Sequence, residues 1–153
     1  MALTIVEDDL FNVPADTRVI SINLVGAMGA GVARTARNTV PGLMKHYRKM
    51  YPTIEPGNII VYKHEDIRYF LVPTKLDWRD PSPRGLVIHH LNKIAVLAQR
   101  HRLGRIVMPP LGCGHGGLSW EDDISYVCRA LYPFCEADFT VALGDARRKN
   151  GKS

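Results

Sequence analysis

The chain has 153 residues, 46% of them hydrophobic and 23% charged, enough for one buried core and close to ordinary globular usage. This composition excludes a disordered tail protein, and no apolar run reaches the roughly 18 residues that a membrane span requires. The formal charge is +5 and the pI ≈ 9.3, an excess that invites a nucleic-acid partner, so its position matters more than its size.

Residues 144–153 carry four cations, Arg147, Arg148, Lys149 and Lys152, against Asp145, a net of +3 that leaves +2 for everything before them. The start, MALTIVEDD, lacks the basic and apolar stretches of a signal peptide. A cytoplasmic, monomeric protein without membrane attachment is expected. Cys113, Cys128 and Cys135 are odd in number and form no C-x-x-C pair, which predicts reduced thiols rather than a disulfide framework or a zinc site.

In chain order, β-type runs fall at Leu3 to Val6, Arg18 to Leu24, Asn58 to Tyr62, Ile67 to Val72, Arg105 to Met108 and Asp138 to Leu143. Several are continuously apolar, as strands covered by helices on both faces are. Helical patterns fill the intervals. The first extends from about Ala30 to Met50 and is broken by Pro41, which is expected near the first position of its second piece. Leu43, Met44, Tyr47 and Met50 line one face of that piece. A second begins near Pro83 and repeats Val87, Leu91, Ile94 and Ala98 along one face. The last opens at Ser119 as cap, with Glu121, Asp122 and Asp123 on the positive dipole end and Ile124, Val127, Cys128 and Leu131 as its buried stripe. The alternation predicts an α/β domain.

Two glycine-rich segments, Gly26–Gly31 and Leu111–Leu118, each lie between a strand and a helix. Glycine lets a ligand approach the backbone amides, and the following helix start adds partial positive charge, so the two loops can hold a diphosphate between them. Familiar phosphate motifs do not account for them. From Gly26 the P-loop spacing reaches Gly31, but Val32 and Ala33 stand where Lys and Ser or Thr are needed. From Gly29 the dinucleotide pattern meets Arg34 in place of a third glycine.

Four segments in order, Asp8-Asp9-Leu10-Phe11, Asn23 to Gly31, Val72-Pro73-Thr74-Lys75 and Pro109 to Trp120, resemble the macro domains. Within that family they are most similar to the branch containing the DarG antitoxin macro domain and the terminal ADP-ribose glycohydrolase. The resemblance implies a three-layer α/β/α fold with a mixed, mostly parallel sheet. It spans 1–143 as a single domain, and 144–153 is expected to be a basic, flexible tail. It also implies a hydrolase that binds ADP-ribose without a cofactor or metal and removes it from modified DNA or protein, most specifically from thymidine. A DarT-like toxin is the implied counterpart. Two other activities fit the same cradle: a module that only reads ADP-ribose, and a phosphatase for ADP-ribose 1''-phosphate.

By this resemblance, Asp9 and Leu10 meet the adenine and Asn23 the distal ribose. Gly29, Ala30, Gly31 and Thr74, together with Leu111, Gly112, Cys113, Gly114, His115 and Gly116, complete the ADP-ribose cradle. A carboxylate at Asp9 suits an exocyclic amine, although an acid in this run also suits a helix cap. Asn23 can equally serve to tie down its loop. Lys75 is the expected catalytic residue, as a nucleophilic amine or as a cation stabilising the leaving group. A lysine after a strand is otherwise usually solvated. Gly116 replaces the acid of the terminal glycohydrolases, which shifts the expectation toward DNA-linked substrates. His115 is a candidate acid or base. Trp78, Arg79 and Arg84 are candidates for nucleic-acid contact through stacking and phosphate binding, or a rigid connector. His89 and His90 lack ligand spacing and read as structural or solvated.

Overall fold

The computed structural model describes residues 2–144, so the expected tail beyond Gly144 lies outside the described residues. The apolar runs become β1 (Ala2–Val6), β2 (Thr17–Ile22), β3 (Ile60–His64), β4 (Ile67–Pro73), β5 (Arg105–Met108) and β6 (Asp138–Ala142). The helical patterns become α1 (Gly31–Thr39), α2 (Leu43–Met50), α3 (Arg84–Arg100) and α4 (Ser125–Leu131).

Several boundaries differ from the sequence expectation by one or two residues, and three of them have evident local reasons. β3 starts two residues late, because the amide of Asn58 closes a turn on Glu55 at 3.0 Å. Its far end extends to His64, where it pairs with Ile67 across the tight Glu65-Asp66 turn. Pro41 is not the first residue of α2: Gly42, at φ 79°, caps that helix, and Tyr62 fixes the turn by donating to the Pro41 carbonyl at 2.7 Å. Ser119 does cap its helix, accepting from the Asp122 amide at 3.1 Å while Asp123 accepts from the Ser119 amide at 2.8 Å. This reciprocal pair works like a capping box. The first turn, Trp120–Ile124, is a π turn rather than an α turn, and Leu131 is only partly buried.

The sheet order is β1-β6-β5-β2-β4-β3, parallel throughout except for β3 against β4. Buried strands alternate their faces. Val19, Phe70, Val72 and Ile106 join Val87, Leu91, Ile94 and Val127 of α3 and α4. Ile20, Ile22, Leu71 and Val107 join Ala36 of α1, Val40 just after it, and Leu43 and Tyr47 of α2. At about 1.5–3 kcal/mol for each fully buried large aliphatic side chain, these two clusters clamp the sheet between its helical layers. Among the described residues, no helix is long and apolar enough to cross a membrane.

The topology creates a crevice. From β2 the chain moves to the α1–α2 layer, whereas from its neighbour β5 it moves to the α4 layer. The loops leaving these strands diverge to opposite faces. Such a switch point, at the carboxyl ends of parallel strands, is where open α/β sheets bind ligands. Both glycine loops start there.

Candidate active site

The first glycine loop is pinned from beneath. Asn23 follows the last residue of β2 and is almost wholly buried. Its side chain donates to the Ala27 carbonyl at 2.8 Å and accepts from the Val25 and Ala27 amides at 3.2 and 3.3 Å. Below it, the buried Tyr47 hydroxyl lies 2.7 Å from the Asn23 carbonyl and 2.8 Å from its side-chain oxygen, and accepts from the Gly26 amide at 3.1 Å. Burial pushes this phenol up to about 12. The loop then runs into α1, whose first amides have no intrahelical carbonyl to bond.

The second loop folds on itself through Cys113 N–H to Pro110 at 3.1 Å and Leu118 N–H to Gly112 at 3.0 Å. Gly112 adopts φ 78° and would drive a Cβ into Leu118, so glycine is required there. The two loops meet across the crevice, where the His115 ring lies 3.4 Å from the Cβ position of Gly31.

A strap over residues 74–83 closes the third side. The Thr74 amide continues the β2–β4 ladder by bonding Ile22 at 3.0 Å, and the Leu24 amide bonds Leu76 at 3.1 Å. Lys75 turns inward, and its ammonium donates to the carbonyls of Trp78 at 3.1 Å and His115 at 2.9 Å. Two of its three donors thereby clasp the strap to the second glycine loop. Farther along, the Ser82 amide bonds the Gly116 carbonyl at 2.9 Å, and the nearly buried Ser82 hydroxyl finds no partner among the described residues. A Cβ on Gly116 would lie 2.5 Å from that oxygen. Glycine at 116 therefore reflects close approach of the strap.

Together these segments enclose a cavity of ≈ 1060 Å³, at the upper end of the range typical of small-molecule sites. Lining it are Asp9, Leu10, Asn23, Gly29, Ala30, Gly31, Thr74, Lys75, Trp78, Arg79, Gly112, Cys113, Gly114, His115 and Gly116. Of the other candidates, Leu111, expected in the cradle, and Arg84, a candidate nucleic-acid contact, do not line it. Leu111 is buried in the core against the α3–α4 layer and does not line this cavity. Arg84 starts α3 outside the cavity, 3.4 Å from Asp123 and 2.5 Å from the Tyr126 hydroxyl.

The local roles sharpen several assignments. Asp9 caps the short turn Leu10–Asn12 through the Phe11 amide at 2.9 Å, so one of its oxygens is occupied and the cap and the cavity wall are the same residue. Trp78 is 56% exposed, and Arg79 sits over its ring at 5.8 Å while bonding Asp77 at 2.9 and 2.6 Å. That guanidinium holds the Asp77 carboxyl down to about 2. Cys113 is half-buried in the cavity wall, and burial pushes its thiol up to about 12, favouring the protonated form. His89 and His90 lie apart from the cavity. Each bonds a carbonyl of the 56–57 turn, at 3.0 and 2.8 Å, and burial lowers His90 to about 4. All three cysteines are free, and among the described residues no three His, Cys, Asp or Glu side chains converge on a possible metal position.

Sequence reasoning missed Phe11, Arg34, Thr35, Asn38, Ser82 and Leu143, all of which line the cavity. Gly31, Arg34, Thr35 and Asn38 recur at i, i+3, i+4 and i+7, a polar stripe that the helical period does encode. Ser82 carries no such signal, since only the folded strap brings it to Gly116.

A profile of the Macro domain family matches residues 19–127. A "DNA ADP-ribosyl glycohydrolase" of Thermus aquaticus is 35% identical over 135 residues, covering 84% of this chain and 38% of that protein. A "DNA ADP-ribosyl transferase-DNA ADP-ribosyl glycohydrolase fusion protein" of Thermosipho africanus is 27% identical over 150 residues, covering 84% and 39%. The chain thus spans about two fifths of the length of these curated relatives. Among solved structures, the macrodomain of Thermus aquaticus DarG superposes with a TM-score of 0.83 at 31% identity, covering 92% of this chain and 97% of that one. Thermosipho africanus DarTG in complex with ADP-ribose gives 0.83 at 28% identity, covering 92% and 41%. With the three-layer sheet, the paired glycine loops at the switch point and these matches in hand, the chain belongs to the macro domain family.

Proposed function

We propose that the chain binds ADP-ribose in this cavity and hydrolyses the N-glycosidic bond that joins it to a DNA base, thymidine above all, without a cofactor. The adenine end would meet Asp9, Leu10 and Phe11. The diphosphate would lie between the start of α1 and the Gly112–Gly116 loop, on backbone amides and helix-dipole charge. The distal ribose would then fall beside Asn23 and Lys75. A DarT-like enzyme, as in the fusion relative, is the matching source of the modification.

The placement of Lys75 carries this reading. Its ammonium is held by two carbonyls at 3.1 and 2.9 Å on the cavity wall, leaving one N–H to face a developing negative charge. In the step proposed, the bond from the anomeric carbon to the base nitrogen breaks and its electron pair stays on the base. Water adds to the anomeric carbon, and its proton passes to the base. Lys75 lowers the barrier by stabilising the base anion, a role for which a positioned cation contributes about 10²- to 10³-fold. His115, a residue of the same cavity wall, would carry the proton.

The test incubates wild type and Lys75→Ala with ADP-ribosylated single-stranded DNA, ADP-ribosylated protein and ADP-ribose 1''-phosphate, with calorimetry for free ADP-ribose. Release from the DNA by wild type alone supports the proposal. Binding without release from any substrate would make the chain a reader, and turnover of the phosphate ester alone would make it a phosphatase. Full activity in Lys75→Ala would remove Lys75 from the mechanism.

A further inference from the structure

The net charge of +5 hides a separation of charge along the chain. No acidic residue occurs between Asp16 and Glu55, yet Arg18, Arg34, Arg37, Lys45, Arg48 and Lys49 all fall there. That segment alone is +6, and all the remaining residues together are −1.

Folding turns the segment into a surface. Arg18 is buried in β2. The other five are exposed on α1 and α2, which pack on each other as the outer layer of one sheet face. Among the described residues none of the five pairs with a carboxylate, whereas Arg79 sits on Asp77 and Arg84 on Asp123. Arg37 reaches only the neutral Asn38 side chain at 3.3 Å, and Arg48 bonds the Gly26 carbonyl of the first glycine loop at 3.2 Å. Arg34 lines the cavity itself. The basic face therefore begins at the cavity wall and continues outward.

We propose that the solvent face of α1 and α2 is the track for the sugar-phosphate backbone of a single-stranded nucleic acid whose modified base enters the cavity. This rests on the function proposed above. Unpaired cations release condensed counterions when they meet phosphates, whereas cations already paired with carboxylates gain little. A protein partner or a membrane surface would call for apolar anchors, and none of the exposed large hydrophobic residues lies on α1 or α2. A single strand offers its base to a pocket without the cost of unpairing.

The test compares two triple variants of the 153-residue chain. One, Arg37→Gln/Lys45→Gln/Lys49→Gln, removes three track charges outside the cavity. The control, Arg100→Gln/Arg102→Gln/Arg129→Gln, removes three exposed charges from elsewhere on the protein. Binding of an unmodified single-stranded oligonucleotide is measured from 50 to 200 mM salt. Each phosphate contact contributes about 0.7 to the log–log salt slope of a single strand. The track variant should therefore lose about 2 from the slope, so that its deficit against wild type shrinks roughly 15- to 20-fold across that range. Free ADP-ribose affinity and turnover of ADP-ribosyl-thymidine, which has no flanking phosphates, should match wild type. Equal slopes in all three proteins, equal losses in the two variants, or competition by poly-glutamate as effective as that by the oligonucleotide would overturn the track. If wild type shows the expected slopes but releases nothing from modified DNA, the hydrolase reading fails and the track stands.

Discussion

Tyr47→Phe removes a single oxygen from beneath the first glycine loop. That oxygen donates one hydrogen to Asn23, whose carbonyl and side-chain oxygens lie at 2.7 and 2.8 Å, and accepts the Gly26 amide at 3.1 Å. The ring stays in place, since Tyr47 is fully buried and phenylalanine fills the same space. A net hydrogen bond contributes about 0.5–1.5 kcal/mol, and a buried group left unsatisfied costs about 1–3 kcal/mol. The expected loss is therefore about 1–3 kcal/mol, or roughly 3–10 °C in Tm for a chain of this size. With the loop no longer held, ADP-ribose affinity should fall about tenfold, equivalent to roughly 1.4 kcal/mol. Calorimetric melting and ligand titration measure both. Burial holds the phenol near 12 in the folded protein against 10.0 when exposed. The unfolded chain thus releases this proton first, and wild type should lose stability as pH rises from 10 toward 12 by a component absent from the phenylalanine variant. A variant that melts within about 1 °C of wild type and binds ADP-ribose equally well would show that Tyr47 does not organise the loop.

Lys75→Ala should lower turnover about 10²- to 10³-fold while keeping free ADP-ribose binding within a few-fold, and Lys75→Arg, read beside it in the same assay, should restore the clasp better than the chemistry. Gly116→Asp should destabilise the fold by about 1–3 kcal/mol through overpacking against Ser82. Pairing it with Ser82→Gly should recover most of that loss in denaturant melts; no recovery would refute the contact as the cause. Burial lowers His90 to about 4 from 6.5, so the unfolded chain takes up this proton first as pH falls. Stability should decline between about pH 6.5 and 4 by up to roughly 1.4 kcal/mol per pH unit. In His90→Gln that stretch of the pH–stability curve should be flatter, and parallel curves would argue against a buried neutral imidazole.

The sheet and its helices were readable because burial on both faces leaves continuous apolar runs, as in Tyr69 to Val72 and Ile106 to Met108. The glycine loops were readable because backbone conformation restricts residue type, as at Gly112. What could not be read is tertiary contact between distant segments. Lys75 bonding the carbonyl of His115, forty residues away, leaves no trace in composition or spacing. Leu111 shows the converse: its neighbours in a motif line the cavity, yet its own side chain packs in the core. Net charge misled for a related reason. Near balance in the body of the chain concealed an acid-free stretch, which only the packing of α1 on α2 makes into one face.

The end of β6 has a practical side. The Leu143 amide bonds Val6 at 2.8 Å, and the Gly144 amide bonds Asp8 at 3.0 Å, so the described chain finishes at the cavity rim, with Gly144 in its wall. Ala2, at the start of the neighbouring β1, lies at the opposite end of the strands, roughly 16 Å away for five strand residues. A fluorophore at position 2 would leave the cavity accessible, while one at position 144 would report on its occupancy.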